Sequence, residues 1–169
     1  RPMTCLTTPR RALLAALALC GGAALAAGSH DGHHGAHPAG DSAIGQPGVA
    51  AQAGRSVRID MSDAMRFSPA RIDARQGETV RFVVRNTGQV PHELSLGTLQ
   101  DLLAHREQMA RQPGMTHAEP NQITLAPGQQ GEIVWRFTRA GTVHFACLIP
   151  GHYEAGMKGE VRVAAGKHH

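Results

Sequence analysis

The sequence predicts an all-β protein, an antiparallel two-sheet Greek-key β-sandwich with one helical insertion around residues 98–111. About eight short segments alternate apolar and polar residues, and turn residues separate them. The 169 residues include 20 Gly and 10 Pro but only 4% aromatic residues, which is typical of short strands joined by turns. The chain is long enough for one such domain with a buried core.

The predicted domain spans residues 55–164 and begins where the first alternating pattern starts. Val57, Ile59 and Met61 fall on one face of this first segment, as in a half-buried strand. Further strands are predicted at residues 71–75, 78–86, 92–96, 122–125, 132–138, 142–147 and 160–163. Antiparallel strands of this length and spacing are typical of two packed sheets.

One segment of the domain has helical rather than strand-like spacing. Leu99, Leu102 and Met109 lie near the period of an amphipathic helix. The turn-forming residues at 112–114, Gln-Pro-Gly, are expected to end that helix. A single helix is therefore predicted to interrupt the sheets.

Residues 1–27 have the pattern of a signal peptide. Arg10 and Arg11 precede an apolar run at residues 12–19, and small residues follow it around Ala26. The run is short for a membrane-spanning helix. We therefore expect export to the periplasm and no stable membrane insertion after the leader is removed. The general secretory route and, because of the arginine pair, the twin-arginine route both remain open.

Removal of this leader changes the charge and the cysteine count. The leader holds three of the 17 basic residues and none of the 13 acidic ones, so the formal net charge of +4 falls by three. The remaining Lys and Arg are scattered, which disfavours nucleic-acid binding. Cys5 and Cys20 leave with the leader, so Cys147 remains as the single cysteine. A lone cysteine in an oxidising compartment is a candidate metal ligand.

Residues 28–54 are predicted to form a disordered, His-rich arm, and residues 165–169 a short tail. The arm has almost nothing apolar to bury. Its four clustered histidines are His30, His33, His34 and His37. Such a cluster can bind Cu(II), Ni(II) or Zn(II), and we expect weak binding of additional copper, with a solvated spacer as the alternative.

The strongest chemical signal is a loop near the C-terminus. Cys147, His152 and Met157 follow one another at intervals of five residues. A cysteine and two histidines with a weak axial methionine form the ligand set of a type 1 copper site. His92, which follows the predicted strand at 78–86, is the candidate for the second histidine. Alone, the cysteine or the methionine would more often be a core residue, but their joint spacing favours metal binding.

These residues resemble the cupredoxins, the plastocyanin and azurin superfamily, and especially the periplasmic cupredoxins of copper-tolerance systems in Gram-negative bacteria. The resemblance covers residues 55–164, with matching pieces at 65–69, 76–82, 92–94, 126–128 and 145–157. It implies a cupredoxin fold that holds one copper ion through His92, Cys147, His152 and Met157. Many cupredoxins follow the first histidine with an asparagine that braces the copper loop, and here Glu93 takes that place.

Other imidazole and thioether side chains are weaker candidates. His144 lies in the same strand as Cys147 but with opposite parity, so we expect it on the surface. Met115 and His117, which follow the predicted helix, are left open as part of an accessory Cu(I) site.

The sequence thus predicts an exported type 1 copper protein with one-electron Cu(I)/Cu(II) chemistry, serving copper handling or tolerance. A dedicated respiratory electron carrier is the alternative, because it would share every ligand. The expected partners are copper ions, with redox proteins or copper-export components as further candidates. An enzyme of the multicopper oxidase or nitrite reductase type is not expected, since residues 55–164 contain no His-x-His pair. Zinc matches this ligand set poorly.

Overall fold

The computed structural model describes residues 42–111 and 119–166, which form two five-stranded sheets, one α-helix and a short 3-10 helix at Ala50–Gln52. The strands are β1 (Gln46–Pro47), β2 (Arg55–Ser62), β3 (Arg66–Ser68), β4 (Arg71–Arg75), β5 (Thr79–Asn86), β6 (His92–Gly97), β7 (Gln122–Leu125), β8 (Gln130–Arg136), β9 (Gly141–Ala146) and β10 (Lys158–Ala164). The helix, α1, spans Leu99–Arg111.

The two sheets pack face to face, which confirms the predicted sandwich. The first sheet has the strand order β1-β8-β5-β2-β3 and the second the order β4-β10-β9-β6-β7. The first sheet contributes Phe82 and Trp135 to the shared core. The second sheet contributes Leu94, Phe145 and Val161 to the same core. Inward residues of both sheets therefore form one apolar layer, as the alternating patterns predict.

The sheets are mixed rather than purely antiparallel, so the prediction was wrong in this respect. β2 pairs with β5 in parallel, and β10 pairs with β4 in parallel. Parallel neighbours need a crossover connection rather than a tight hairpin. Here, between the two strands of each parallel pair, the chain passes through the other sheet and returns. The second strand therefore starts at the same end of the sheet as the first. Local alternation of residues does not reveal that crossing.

The folded region begins earlier than residue 55. Ile44 is buried, and its carbonyl oxygen accepts a hydrogen bond of 2.8 Å from Trp135 Nε1. Strand β1 then pairs with the edge of β8. The predicted disorder was therefore wrong for residues 42–54, because one buried side chain and an edge pairing suffice to anchor a polar segment. The earlier part of the predicted arm, with its four histidines, lies outside the described residues.

Helix α1 covers the outer face of the second sheet beside the candidate copper loop. Thr98 Oγ1 accepts a hydrogen bond of 3.1 Å from the Asp101 amide, which caps the first turn. Leu102 is buried and packs against Ala146 and Leu148, where β9 runs into the loop. The helix thus shields the strand that leads to Cys147. Within the described residues, no helix has the length and apolar character needed to cross a membrane.

Gly159 lies in β10, two residues after Met157 at the end of the β9–β10 loop, and has no room for a side chain. A Cβ at this position would lie 2.5 Å from the Ala70 carbonyl oxygen and closer still to the Phe145 ring. Phe145 is the direct cross-strand neighbour of Gly159. The absent side chain therefore leaves room for the Phe145 ring against β10.

We expect Gly159→Ala to lower the free energy of unfolding of the metal-free protein by about 1–3 kcal/mol, because overpacking forces a backbone shift. Chemical denaturation measures this change. Gly54→Ala is the matched control, since its added Cβ would meet only the Thr79 carbonyl oxygen, at 3.9 Å. Equal stability of the two variants would contradict the packing argument.

Candidate metal centre

Three donor side chains meet at one end of the sandwich. His92 begins β6, Cys147 follows β9, and His152 lies in the loop between β9 and β10. One ligand atom of each residue lies within 4.8 Å of the others. β6 and β9 are antiparallel neighbours, so the start of one strand lies beside the end of the other. The topology therefore brings together three of the four residues that the sequence predicts as ligands.

His92 has one ring nitrogen engaged and the other free for a ligand. The side chain is fully buried, and Nε2 lies 3.0 Å from Asp63 Oδ1. Nδ1 is also buried, and no hydrogen-bond partner for it exists among the described residues. Leaving a buried polar atom unpaired is costly. The buried Nδ1 is therefore suited to a metal ion.

Cys147 is a buried thiol next to His152. Its Sγ lies 3.3 Å from His152 Nδ1 and accepts a hydrogen bond of 3.3 Å from the backbone N–H of Glu93. Burial raises the pKa of the Cys147 thiol to about 11, although the Glu93 N–H opposes this shift. The metal-free thiol therefore stays protonated at neutral pH. Binding of a metal ion to the thiolate must release that proton.

His152 is only partly buried, and its environment favours the neutral imidazole. Burial lowers the pKa of His152, and the neighbouring His92 lowers it further, whereas Asp63 opposes the shift. The His152 and His92 rings lie with their centroids 5.1 Å apart. Neutral imidazole is the form that binds metals, so less competition from protons is expected at this residue.

The loop that carries these ligands is held by its own backbone. The Cys147 N–H donates to the Met157 carbonyl at 3.1 Å, and the Met157 N–H donates to the His152 carbonyl at 3.0 Å. Gly151 and Gly156 adopt φ values of 87° and 100°, in the left-handed region that favours glycine. Met157 is fully buried in the core cluster. Its role as the fourth ligand stays a prediction.

Glu93 is buried and uses its carboxylate away from the metal donors. The carboxylate accepts hydrogen bonds from Ser95 Oγ at 2.9 Å, Gln122 Nε2 at 2.8 Å and Thr124 Oγ1 at 3.3 Å. Because side chains alternate along β6, Glu93 lies on the face opposite His92. The side chain therefore ties β6 to β7, while the backbone N–H of the same residue reaches Cys147 Sγ.

Asp63 also belongs to this region, and the sequence reasoning missed it. It lies just after β2, and it contacts His92, which is 29 residues away in the chain. Hydrogen bonds from the Gln89 N–H and from His92 lower the pKa of Asp63. The carboxylate is therefore ionised at neutral pH. No local motif marks an acidic residue in a turn as a partner of a distant histidine.

The weaker candidates do not join the donor set. His144 lies half-buried on β9, and it is not one of the three clustered donors. It alternates with the buried Val143 and Phe145, as expected for the opposite face of β9, but it is half-buried rather than fully on the surface. Met115 and His117 lie outside the described residues, so an accessory site there remains a prediction.

We expect Glu93→Ala to destabilise the metal-free protein by about 1–3 kcal/mol, because three hydrogen-bond donors lose a buried acceptor. Thermal or chemical unfolding measures the loss. Glu132→Ala serves as the control, since Glu132 is 51% exposed and pairs with Arg81 only at 3.6 Å. A stability loss no greater than that of the control would show that the buried network contributes little.

Comparison with known proteins agrees with this site. Residues 53–164 match the family described as copper binding proteins, plastocyanin/azurin family. The copper-resistant cuproprotein CopI of Rubrivivax gelatinosus is 52% identical over 158 residues, which cover 91% of this chain and 96% of that protein. The protein of the same name from Pseudomonas aeruginosa is 37% identical over 157 residues, which cover 76% of this chain and 86% of that protein.

Solved structures of auracyanins share the fold. A reduced auracyanin from Roseiflexus castenholzii has a TM-score of 0.57 at 24% identity and covers 66% of this chain and 98% of its own. Auracyanin B has a TM-score of 0.58 at 24% identity and covers 72% of this chain and 96% of its own. From its sequence match, its fold and its His-Cys-His cluster, the chain belongs to the plastocyanin/azurin family of copper binding proteins, the cupredoxins.

Proposed function

We propose that this protein is an exported type 1 copper protein that exchanges single electrons in periplasmic copper tolerance. Its ligands in this proposal are His92, Cys147, His152 and Met157. The observation that carries the proposal is that ligand atoms of His92, Cys147 and His152 lie together. In addition, the buried His92 Nδ1 has no hydrogen-bond partner in the described residues. The tolerance role is supported by two relatives named as copper-resistant cuproproteins. Export is supported by the leader-like pattern of residues 1–27.

The donor set fits copper in both oxidation states. A thiolate and a thioether are soft ligands that suit Cu(I), and imidazoles suit Cu(II). Bound copper would supply a one-electron couple between these states. Zinc sites, in contrast, use Cys, His and carboxylate ligands and rarely a thioether.

The protein's own contribution is a fixed arrangement of ligands. The backbone hydrogen bonds between Cys147, His152 and Met157 hold the loop. The Glu93 N–H donates to Cys147 Sγ and stabilises negative charge on the sulfur. Such a frame keeps the ligand positions similar in both oxidation states, which favours fast electron exchange.

His152 offers the contact point for an electron-transfer partner. His92 and Cys147 are fully buried, whereas the His152 side chain is half-buried at the loop surface. Its neighbour Gly151 is exposed and carries no side chain. An electron therefore enters or leaves through the His152 edge in this proposal.

We expect the Cu(II) protein to show an intense visible thiolate-to-copper band that Cys147→Ser abolishes, because a hydroxyl cannot replace the soft thiolate. Absorption spectra after copper loading measure it. His144→Ala is the matched control, since His144 lies in the adjoining strand outside the donor cluster, and it should keep the band. Met157→Leu should also keep the band but raise the reduction potential, because a weak axial donor is lost.

Two results would argue against this ligand set. A colourless Cu(II) wild-type protein would refute the type 1 assignment. An unchanged spectrum and potential in Met157→Leu would remove Met157 from the ligands while leaving the other three.

We expect deletion of the gene to lower the copper concentration that stops growth, while respiration at trace copper stays normal. Wild-type protein and His144→Ala should restore tolerance, and Cys147→Ser should not, because it lacks the thiolate ligand. Growth curves over a copper series, with immunoblots for protein amount, make the comparison. A respiratory defect at trace copper with unchanged tolerance would instead support a dedicated respiratory electron carrier.

A further inference from the structure

Asp63 joins the first predicted ligand to the loop before it. Its Oδ1 lies 3.0 Å from His92 Nε2, and its Oδ2 accepts a hydrogen bond of 2.7 Å from the Gln89 N–H. The Val90 N–H donates more weakly to Oδ1, at 3.4 Å. A Cβ on Gly88 would collide with this carboxylate, so the glycine leaves the space that it occupies.

The contact with Asp63 selects one tautomer of His92. An ionised carboxylate only accepts hydrogen bonds, so it pairs with an imidazole that carries its proton on Nε2. The lone pair then lies on Nδ1, which is the buried nitrogen without a hydrogen-bond partner in the described residues. His92 Nδ1 thus has a free lone pair with which to bind a metal ion.

The loop does not depend on Asp63 alone for its shape. Asn86 Nδ2 donates to the carbonyl oxygens of Val90 at 2.8 Å and Leu125 at 3.0 Å. Asn86 Oδ1 accepts from the Gly88 N–H at 2.9 Å. The loop is therefore anchored from its other side, and variants of Asp63 are expected to fold.

We propose that Asp63 is a positioning residue of the copper site, which holds His92 with Nδ1 toward the metal and lowers the reduction potential. The proposal rests on the proposed copper function of His92, Cys147 and His152. A carboxylate on the far nitrogen of a metal-bound histidine fixes the ring and raises its basicity. A more basic ligand and a nearby negative charge both favour Cu(II) over Cu(I), because Cu(II) carries the greater positive charge.

The first test uses the metal-free protein and does not depend on copper. Nitrogen-15 NMR of the histidine rings should show His92 protonated on Nε2 in the wild type. Asp63→Asn should retain this tautomer, because the amide oxygen still accepts a hydrogen bond, whereas Asp63→Ala should shift His92 toward protonation on Nδ1. Unfolding curves of each metal-free variant check that it is folded.

The second test uses the copper-loaded protein. Asp63→Asn should raise the reduction potential, because it removes the charge while the amide oxygen still accepts from His92 Nε2. The amide nitrogen then takes the place of Oδ2, so the hydrogen bond from the Gln89 N–H is lost. Asp63→Ala should raise the potential as well and weaken Cu(II) binding by about 10- to 100-fold, the usual effect of losing such an outer partner. Asp60→Asn is the matched control, since Asp60 lies on β2, carries the same charge and pairs with Arg58 at 3.2 Å.

The outcomes separate this inference from the proposed function. The electrostatic role would be overturned if both Asp63 variants had the reduction potential of the wild type. It would also be overturned if Asp63→Asn shifted the potential no more than Asp60→Asn does. An unchanged His92 tautomer in folded Asp63→Ala would overturn the positioning role. A wild-type protein without the thiolate band but with the expected tautomer change would refute the proposed copper function and still support positioning by Asp63.

Discussion

The pairing of β6 with β9 is the constraint on which the rest of this site depends. Ser95 lies opposite Ala146, and this register places the amide of Glu93 within hydrogen-bond distance of Cys147 Sγ. A slip by one residue would turn His92 to the other face of the sheet, because side chains alternate along a strand. Backbone pairing therefore brings the metal donors of β6 and of the loop after β9 together.

The register of β6 is secured on both faces of the sheet. All six residues of β6 are buried. On the inner face Leu94 belongs to the shared core. On the outer face Glu93 is held by three hydrogen bonds, and a Cβ on Gly97 would meet Leu102 of α1 at 2.9 Å. The helix and the buried carboxylate of Glu93 thus restrain the strand that carries His92. A strand at the protein surface would lack these restraints.

The sequence was most informative where a pattern is local. Alternation predicted β4 and β7 with their observed bounds, and the spacing of Cys147 and His152 predicted two clustered donors. It was least informative where contacts join distant segments. The parallel pairs and the partners of Asp63 and Glu93 depend on crossings between sheets and on contacts 29 residues apart. A strand as short as β1 or β3 shows too little alternation to be recognised.

The surroundings of the proposed ligands act in opposite directions on a bound ion. Burial of Cys147 and of Met157 disfavours extra positive charge, and this favours Cu(I). Asp63 on the His92 ring brings negative charge to the site, and this favours Cu(II). In the proposed one-electron function, the ligand set alone would therefore not determine the balance between Cu(I) and Cu(II). That balance depends on how completely the loop between β9 and β10 excludes water from the ligands. It also depends on how closely Asp63, in the turn after β2, is held against His92. These two segments lie far apart in the chain.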